Sequence, residues 1–226
     1  MNKTVLVCCG TGCLASGSAK VAEAFRTLLA GTGHQVECLV KETGCQGFCE
    51  NGPMVRILPD DITYYKVKPA DAAEIVAQTV EQGLPVTRLL AKNDAGQPVT
   101  RREDNPFFAP QVKVALRNVG IISPASVEDY VNRGGYSALK KALTMTPDEI
   151  ITQVELSGLR GRGGAGFPTG RKWRTAAGYD NFPKYVVCNG DEGDPGAFMD
   201  GSILEGDPHS VLEGMAICAL AIGAET

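Results

Sequence analysis

The sequence has little of what several large functional classes require. No apolar run reaches the roughly 18 to 20 residues needed to span a membrane, and the longest, Gly214 to Ala224, falls well short. Basic residues are not in excess: 22 Lys and Arg stand against 26 Asp and Glu, for a formal net charge of −4. Neither a nucleic acid nor an anionic membrane surface is indicated. Met1 to Gly10 carries one lysine and too short an apolar stretch for a secretory signal. There are two histidines, His34 in a turn and His209 at a helix start, which leaves little material for histidine-based acid–base catalysis. These features together suggest a cytoplasmic protein of ordinary globular composition. At 226 residues it is long enough for one or two domains.

Glycine and cysteine, by contrast, are abundant. Six of the 27 glycines fall between Gly158 and Gly170, and there are eight cysteines. In a reducing compartment a cysteine cluster reads as metal binding or redox chemistry before it reads as disulfides.

Apolar patterning divides the chain. Thr4 to Cys8 reads as a buried strand and Ser18 to Ala30 as an amphipathic helix. Val36 to Lys41, Met54 to Leu58 and Ile62 to Val67 read as further strands, and Pro69 to Gln82 as a second helix. This β-α-β-β-β-α order suits a small α/β sandwich of thioredoxin-like type. From 83 to 110 periodicity dissolves, as expected of a linker. Beyond it, Ser126 to Asn132 and Tyr136 to Leu143 read as short helices. Thr146-Pro-Asp-Glu149 has the composition of a capping box and should start another. Lys184 to Cys188 reads as a strand and His209 to Ile222 as an apolar helix. The expected division is 1–82, a linker over 83–110, and a second domain over 111–226.

Two cysteine pairs follow strands in glycine-containing loops: Cys8 and Cys13, with four residues between them, and Cys45 and Cys49, with three. Four thiolates suit a 2Fe–2S centre, two for each iron, with glycines letting the backbone approach the sulfides. Zinc and inert buried thiols are the competing readings. A thioredoxin-type dithiol would need C-x-x-C, which is absent. Cys9 is an alternative to Cys8 as ligand, while Cys38 and Cys218 read as core residues.

The second notable stretch is Leu159-Arg-Gly161-Arg162-Gly163-Gly164-Ala-Gly166-Phe167-Pro-Thr-Gly170-Arg-Lys172. Successive N–H groups in such a loop form an anion-binding concavity, and its basic residues add charge, so a phosphate-bearing cofactor is the natural guest. The spacing meets the letters of the dinucleotide fingerprint, but the loop follows a helix and not a strand; the Walker A pattern is not met. Cys188-Asn189-Gly-Asp191-Glu192-Gly-Asp194 should supply hydrogen bonds to neutral parts of a cofactor or substrate.

Residues 1 to about 82 resemble the thioredoxin-like 2Fe–2S ferredoxin domain through Cys8, Cys13, Cys45 and Cys49. The stretch from Leu116 to the chain end resembles the NADH-binding, FMN-containing flavoprotein subunit of respiratory complex I and of NAD-linked hydrogenases and formate dehydrogenases. The fusion of both on one chain most resembles the flavoprotein subunit of multisubunit iron–iron hydrogenases. The implied fold class is α/β, a thioredoxin-like 2Fe–2S domain followed by the N-terminal part of an α/β FMN-binding domain. The resemblance implies that Gly161, Gly163, Lys172, Asn189, Asp191 and Glu192 contact FMN, with Arg162 and Gly164 in the same loop. It further implies that Phe167 stacks on the nicotinamide nucleotide and that Asp194 lies near it. Gly201 stands where relatives usually have Arg. Implied too are hydride exchange between NAD(P)H and FMN, single-electron transfer to iron–sulfur clusters, and partner subunits of a hydrogenase, formate dehydrogenase or NADH dehydrogenase complex. No side chain is required as nucleophile or general base. A bare 2Fe–2S carrier or a docking module without FMN is the competing expectation, since the family's remaining domains are expected beyond this portion of the chain.

Overall fold

A computed structural model describes residues 2–31 and 36–225. The chain divides into two compact units: 1–126 with 194–207, and 127–193 with 208–226. His34 lies outside the described residues.

The first unit is built on a four-stranded sheet in the order β2-β1-β3-β4. Strand β1 (Lys3–Cys8) is followed by a short helix α1 (Thr11–Ala15) and by α2 (Ser18–Leu29). Strand β2 (Cys38–Thr43) then pairs parallel to β1, with Cys8 opposite Thr43. Strands β3 (Val55–Leu58) and β4 (Ile62–Tyr64) continue the sheet antiparallel. The buried run Val5, Leu6, Val7 on β1 is what a central strand covered on both faces requires. Val21, Ala22 and Phe25 of α2 pack into the same core as Val55, Ile57 and Tyr64.

Strand β4 stops earlier than the pattern suggests, because Lys66 takes a left-handed conformation (φ 55°) that extended pairing cannot continue. The helix expected from Pro69 forms as three joined pieces: a 3₁₀ turn Pro69–Asp71, helix α3 (Ala72–Ile75) and a π-helical segment Val76–Val80. The stretch expected as a linker lies within the first unit. Val86 and Leu89 are buried in its core, and strands β5 (Ala91–Lys92) and β6 (Pro98–Val99) form a small hairpin.

The second unit is helical. Helices α4 (Val127–Asn132), α5 (Ser137–Ala142) and α6 (Pro147–Leu156) fall close to their expected places. The capping box is made as read: Glu149 N–H donates to Thr146 Oγ1, and Thr146 N–H donates to the Glu149 carboxylate. Helix α7 (Thr169–Ala177) was not signalled by the sequence pattern. In the first unit α8 (Met199–Gly206) is likewise unanticipated, and α9 (Pro208–Ile222) closes the second unit. The expected strand at Lys184 to Cys188 is not formed. That segment is irregular and among the described residues has no partner strand, and Tyr185 and Val187 are exposed while Val186 packs inward. No helix among the described residues is long and apolar enough to cross a membrane.

Helices α6 and α7 are joined by Arg174, whose guanidinium contacts Asp148 (2.6 Å) and Glu155 (2.7 Å). They approach so closely at Gly170 that a Cβ there would lie 2.5 Å from Glu155 Cγ and 2.6 Å from its backbone nitrogen. Gly170→Ala should therefore cost about 1–3 kcal/mol, the usual range for overpacking. Trp173, the single tryptophan and part of this unit's core, provides the fluorescence signal for an unfolding curve that measures it.

Candidate functional site

Cys8 closes β1, Cys13 lies inside α1, and Cys45 and Cys49 follow β2. Parallel pairing of β1 with β2 brings the ends of both strands to one edge of the sheet, and so brings the two cysteine loops together. The thiols form a chain of neighbours. Cys8 shares a buried cluster with Cys13 and donates to the carbonyl of Gly44, the residue before Cys45 (3.6 Å), and the Cys45 and Cys49 sulfurs are 3.5 Å apart. Among the described residues, no three His, Cys, Asp or Glu groups surround a single ion position.

Backbone groups complete the surroundings. Gly47 N–H donates to Cys45 Sγ (3.4 Å), Met54 supplies a backbone hydrogen bond to Cys13 and Gly10 one to Cys8. N–H groups aimed at sulfur are what a negatively charged thiolate cluster requires. Three glycines hold this arrangement. A Cβ at Gly52 would lie 2.5 Å from Cys13 Sγ, one at Gly12 would lie 3.1 Å from Cys49 Sγ, and one at Gly10 would collide with Cys45. The sequence showed glycines near the cysteines, but which of them abut sulfur depended on the register of β1 against β2.

Crowding governs the protonation of these thiols. The hydrogen bond with Cys13 pushes Cys8 up to about 11 and lowers Cys13 in return. The bond with Cys8, and then burial, push Cys45 up, while burial is the main cause raising Cys49. Ionising all four together is costly without positive charge among them, which bound metal supplies. Cys9 stands apart. Its sulfur accepts from Ser18 Oγ (3.7 Å) and packs against the main core, whereas Cys8 and Cys13 share a second cluster with Met54, Tyr65 and Phe108.

In the second unit the glycine-rich segment is a closed loop. Its ends are held by Gly161 N–H to Phe167 O (2.8 Å) and Thr169 N–H to Leu159 O (2.9 Å), and Arg160 reaches across to Gly166 O (3.1 Å). Gly164 (φ 95°) and Gly166 (φ 60°) take conformations that favour glycine. At Gly163, Gly164 and Gly166 an added Cβ would meet nothing within 4 Å. The N–H groups of residues 162–166 have no backbone partner among the described residues. The loop thus offers open space, free donors and the Arg162 side chain, which is the composition of an anion-binding nest.

Phe167 and Lys172 line an apolar cavity of about 480 Å³ with Thr175, Ala176 and Tyr179, and Arg171 lies over the Phe167 ring (5.9 Å). Asn189 and Asp191 are exposed in the irregular segment before α8, where Asn189 Oδ1 accepts from Asp191 N–H (2.9 Å); Glu192 is half-buried. Asp194 belongs to the first unit. His209 is a structural residue, its Nδ1 2.8 Å from Tyr136 Oη.

The family model described as thioredoxin-like [2Fe-2S] ferredoxin matches residues 2–80, and that of the Complex1_51K Nuo51 FMN-binding domain matches residues 154–226. A stretch of 114 residues is 60% identical to the NADP-reducing hydrogenase subunit HndC of Solidesulfovibrio fructosivorans, covering 50% of this chain and 23% of that protein. Over 182 residues the chain is 35% identical to the NAD-reducing hydrogenase HoxS subunit alpha of Cupriavidus necator, covering 80% of this chain and 28% of that one. Among solved structures, a thioredoxin-like [2Fe-2S] ferredoxin from Aquifex aeolicus is 32% identical, covering 43% of this chain and 98% of its own, with a TM-score of 0.38. The chain spans about a quarter of the length of the curated relatives it matches.

Proposed function

We propose, for a chain whose residues 2–80 belong to the thioredoxin-like [2Fe-2S] ferredoxin family and whose residues 154–226 belong to the Nuo51 FMN-binding domain family, that it is an electron-transfer subunit of an NAD(P)H-linked oxidoreductase. The observation that carries this reading is the presence on one polypeptide of a chain of four neighbouring thiols and an open, arginine-bearing glycine loop. The domain boundaries we adopt are 1–82 for the ferredoxin module and 111–226 for the flavin-side module.

When bound, FMN exchanges a hydride with NAD(P)H and the 2Fe–2S centre carries single electrons. The residues of this chain bind and orient. Cys8 with Cys13, and Cys45 with Cys49, would each hold one iron, in keeping with their pairing as neighbours. The loop N–H groups at Arg162, Gly163 and Gly164 would receive the flavin phosphate, with Gly161 closing the loop beside them. Lys172, which lines the same cavity as Phe167, would add positive charge, and Phe167 would offer the ring on which a nicotinamide stacks. Asn189, Asp191 and Glu192 would hydrogen-bond neutral parts of the flavin nucleotide, and Asp194 is assigned to the nicotinamide side from the resemblance alone. The partners would be other subunits of a hydrogenase, formate dehydrogenase or NADH dehydrogenase complex, and the compartment the cytoplasm, where thiols stay reduced.

Cofactor analysis after anaerobic reconstitution tests this. The expected result is a coloured protein holding two irons, two sulfides and one FMN per chain, with NADH-dependent reduction of an artificial dye. Iron and sulfide without flavin would leave a bare electron carrier. Colourless protein, or zinc in place of iron, would overturn the reading.

A further inference from the structure

The residues after the ferredoxin module return to the cysteine loops and bring two cations with them. Phe107 stacks on Phe48, which lies one residue before Cys49, with ring centroids 4.2 Å apart. Phe108 packs in the same buried cluster as Cys8 and Cys13. Arg102 Cζ lies 5.6 Å and Lys113 Nζ 5.2 Å from the Phe108 ring centroid. The Arg102 guanidinium also donates to Gln46 Oε1 (3.1 Å), and Gln46, next to Cys45, is itself buried.

Two cations around one buried ring repel each other, and the nearby carboxylate does not balance them. Glu103 contacts Arg102 (3.2 Å) and is shared with Arg56 (3.3 Å), while Lys113 has no carboxylate within ion-pair distance among the described residues. Both cations and Arg117 border a cavity of about 200 Å³. Burial, and then the charge of Arg102, push the Lys113 ammonium down. The Phe108 ring that both cations flank packs with Cys8 and Cys13, and Arg102 is tied to Gln46 beside Cys45, so the face these cations border is that of the thiols.

We propose that Lys113, with Arg102, is the positive counterpart of the Cys8–Cys13–Cys45–Cys49 centre and raises its reduction potential. The proposal rests on the reading of those four thiols as cluster ligands. A one-electron reduction adds negative charge at the sulfurs, so a fixed cation within electrostatic reach stabilises the reduced form more than the oxidised form. The device belongs to the 101–113 segment, outside the ferredoxin module, so it adjusts the module without altering its ligands. Lys113 acts as a positioning charge and touches no reacting atom.

The test is a redox titration of the reconstituted full chain, followed by electron paramagnetic resonance. Lys113→Met should shift the one-electron equilibrium toward the oxidised form by about tenfold, equal to about 59 mV, and Lys113→Gln should do the same, while Lys113→Arg keeps the wild-type potential. If Met and Gln variants take up no iron while the Arg variant loads, the need for a cation is supported in another way. Loaded Met and Gln variants with unchanged potential, or an Arg variant that behaves like Met, would overturn the role of Lys113 and leave the centre standing. Wild-type protein that takes up no iron would overturn the centre itself.

Discussion

Anaerobic reconstitution of the Cys8→Ser protein should yield less than about a tenth of the wild-type iron, whereas Cys9→Ser should load fully. The two residues are adjacent, and composition does not distinguish them. Strand geometry does, because successive side chains leave a strand on opposite faces. Cys8 is directed into the cluster with Cys13, Met54, Tyr65 and Phe108, and it donates to the carbonyl of Gly44, the residue before Cys45. Cys9 faces the core under α2, beside Ser18. Loss of a group that merely orients a ligand costs 10–100-fold in metal affinity, so loss of a ligand should cost at least as much. Iron and sulfide assays on the two variants decide the matter, and the reverse pattern would sink the ligand assignment.

The second large effect is expected at Glu213. This carboxylate is buried in α9. It accepts from Tyr130 Oη, from Tyr136 N–H (2.9 Å) and from Leu139 N–H (3.0 Å), satisfying backbone donors at the start of α5. Glu213→Ala strands all of them and should cost the second unit about 3–5 kcal/mol. Burial alone would push the Glu213 carboxyl up, but hydrogen bonds from Tyr130 and from the Leu139, Tyr136 and Ala138 backbone outweigh it and hold it below the usual carboxylate range. A depressed folded-state value means that this stabilisation is complete above the unfolded glutamate value of about 4.3 and is lost as pH falls through the lower folded value. Trp173 fluorescence during urea unfolding should therefore show a wide gap between wild type and Glu213→Gln at pH 7, narrowing below about pH 4. A gap of equal width at both pH values would rule out the charged carboxylate as its source.

The first unit was legible because its elements announce themselves locally. The run Val5 to Val7, the apolar face of α2 and the break at Pro59-Asp60-Asp61 each signal within a few residues. The parallel β1–β2 pairing then accounts for why two cysteine loops far apart in sequence meet. The missed elements lack such signals. Helix α7 carries Arg171, Lys172 and Arg174 and forms against α6 through Gly170 and an ion-pair network, which only tertiary structure reveals. The strand expected at Lys184 to Cys188 had the right β-branched composition but no ladder to join. The polar 101–113 stretch looked like a tether because its periodicity is absent, yet Phe107 and Phe108 anchor it beside Phe48 through aromatic contacts that no periodic pattern encodes. At the end of the glycine-rich stretch, Gly170 is required by the close packing of α7 on Glu155 of α6, which residue type alone does not reveal.

The first unit is discontinuous. Residues 194–207 rejoin it after 127–193 have formed part of the other, and they are fixed there by the buried bond from Asn118 Nδ2 to Asp207 Oδ2 (2.8 Å) and by the close approach of Gly206 to Gly44, the residue before Cys45. On the ribosome, the chain must therefore emerge as far as Asp207 before Gly206 can close against Gly44 beside Cys45. The surroundings of that cysteine loop are complete only after most of the flavin-side residues have been translated. A protease that nicks the chain only between Ser126 and Val127 would leave the thiol-bearing fragment held by packing alone, through the contacts that residues 194–207 make with it.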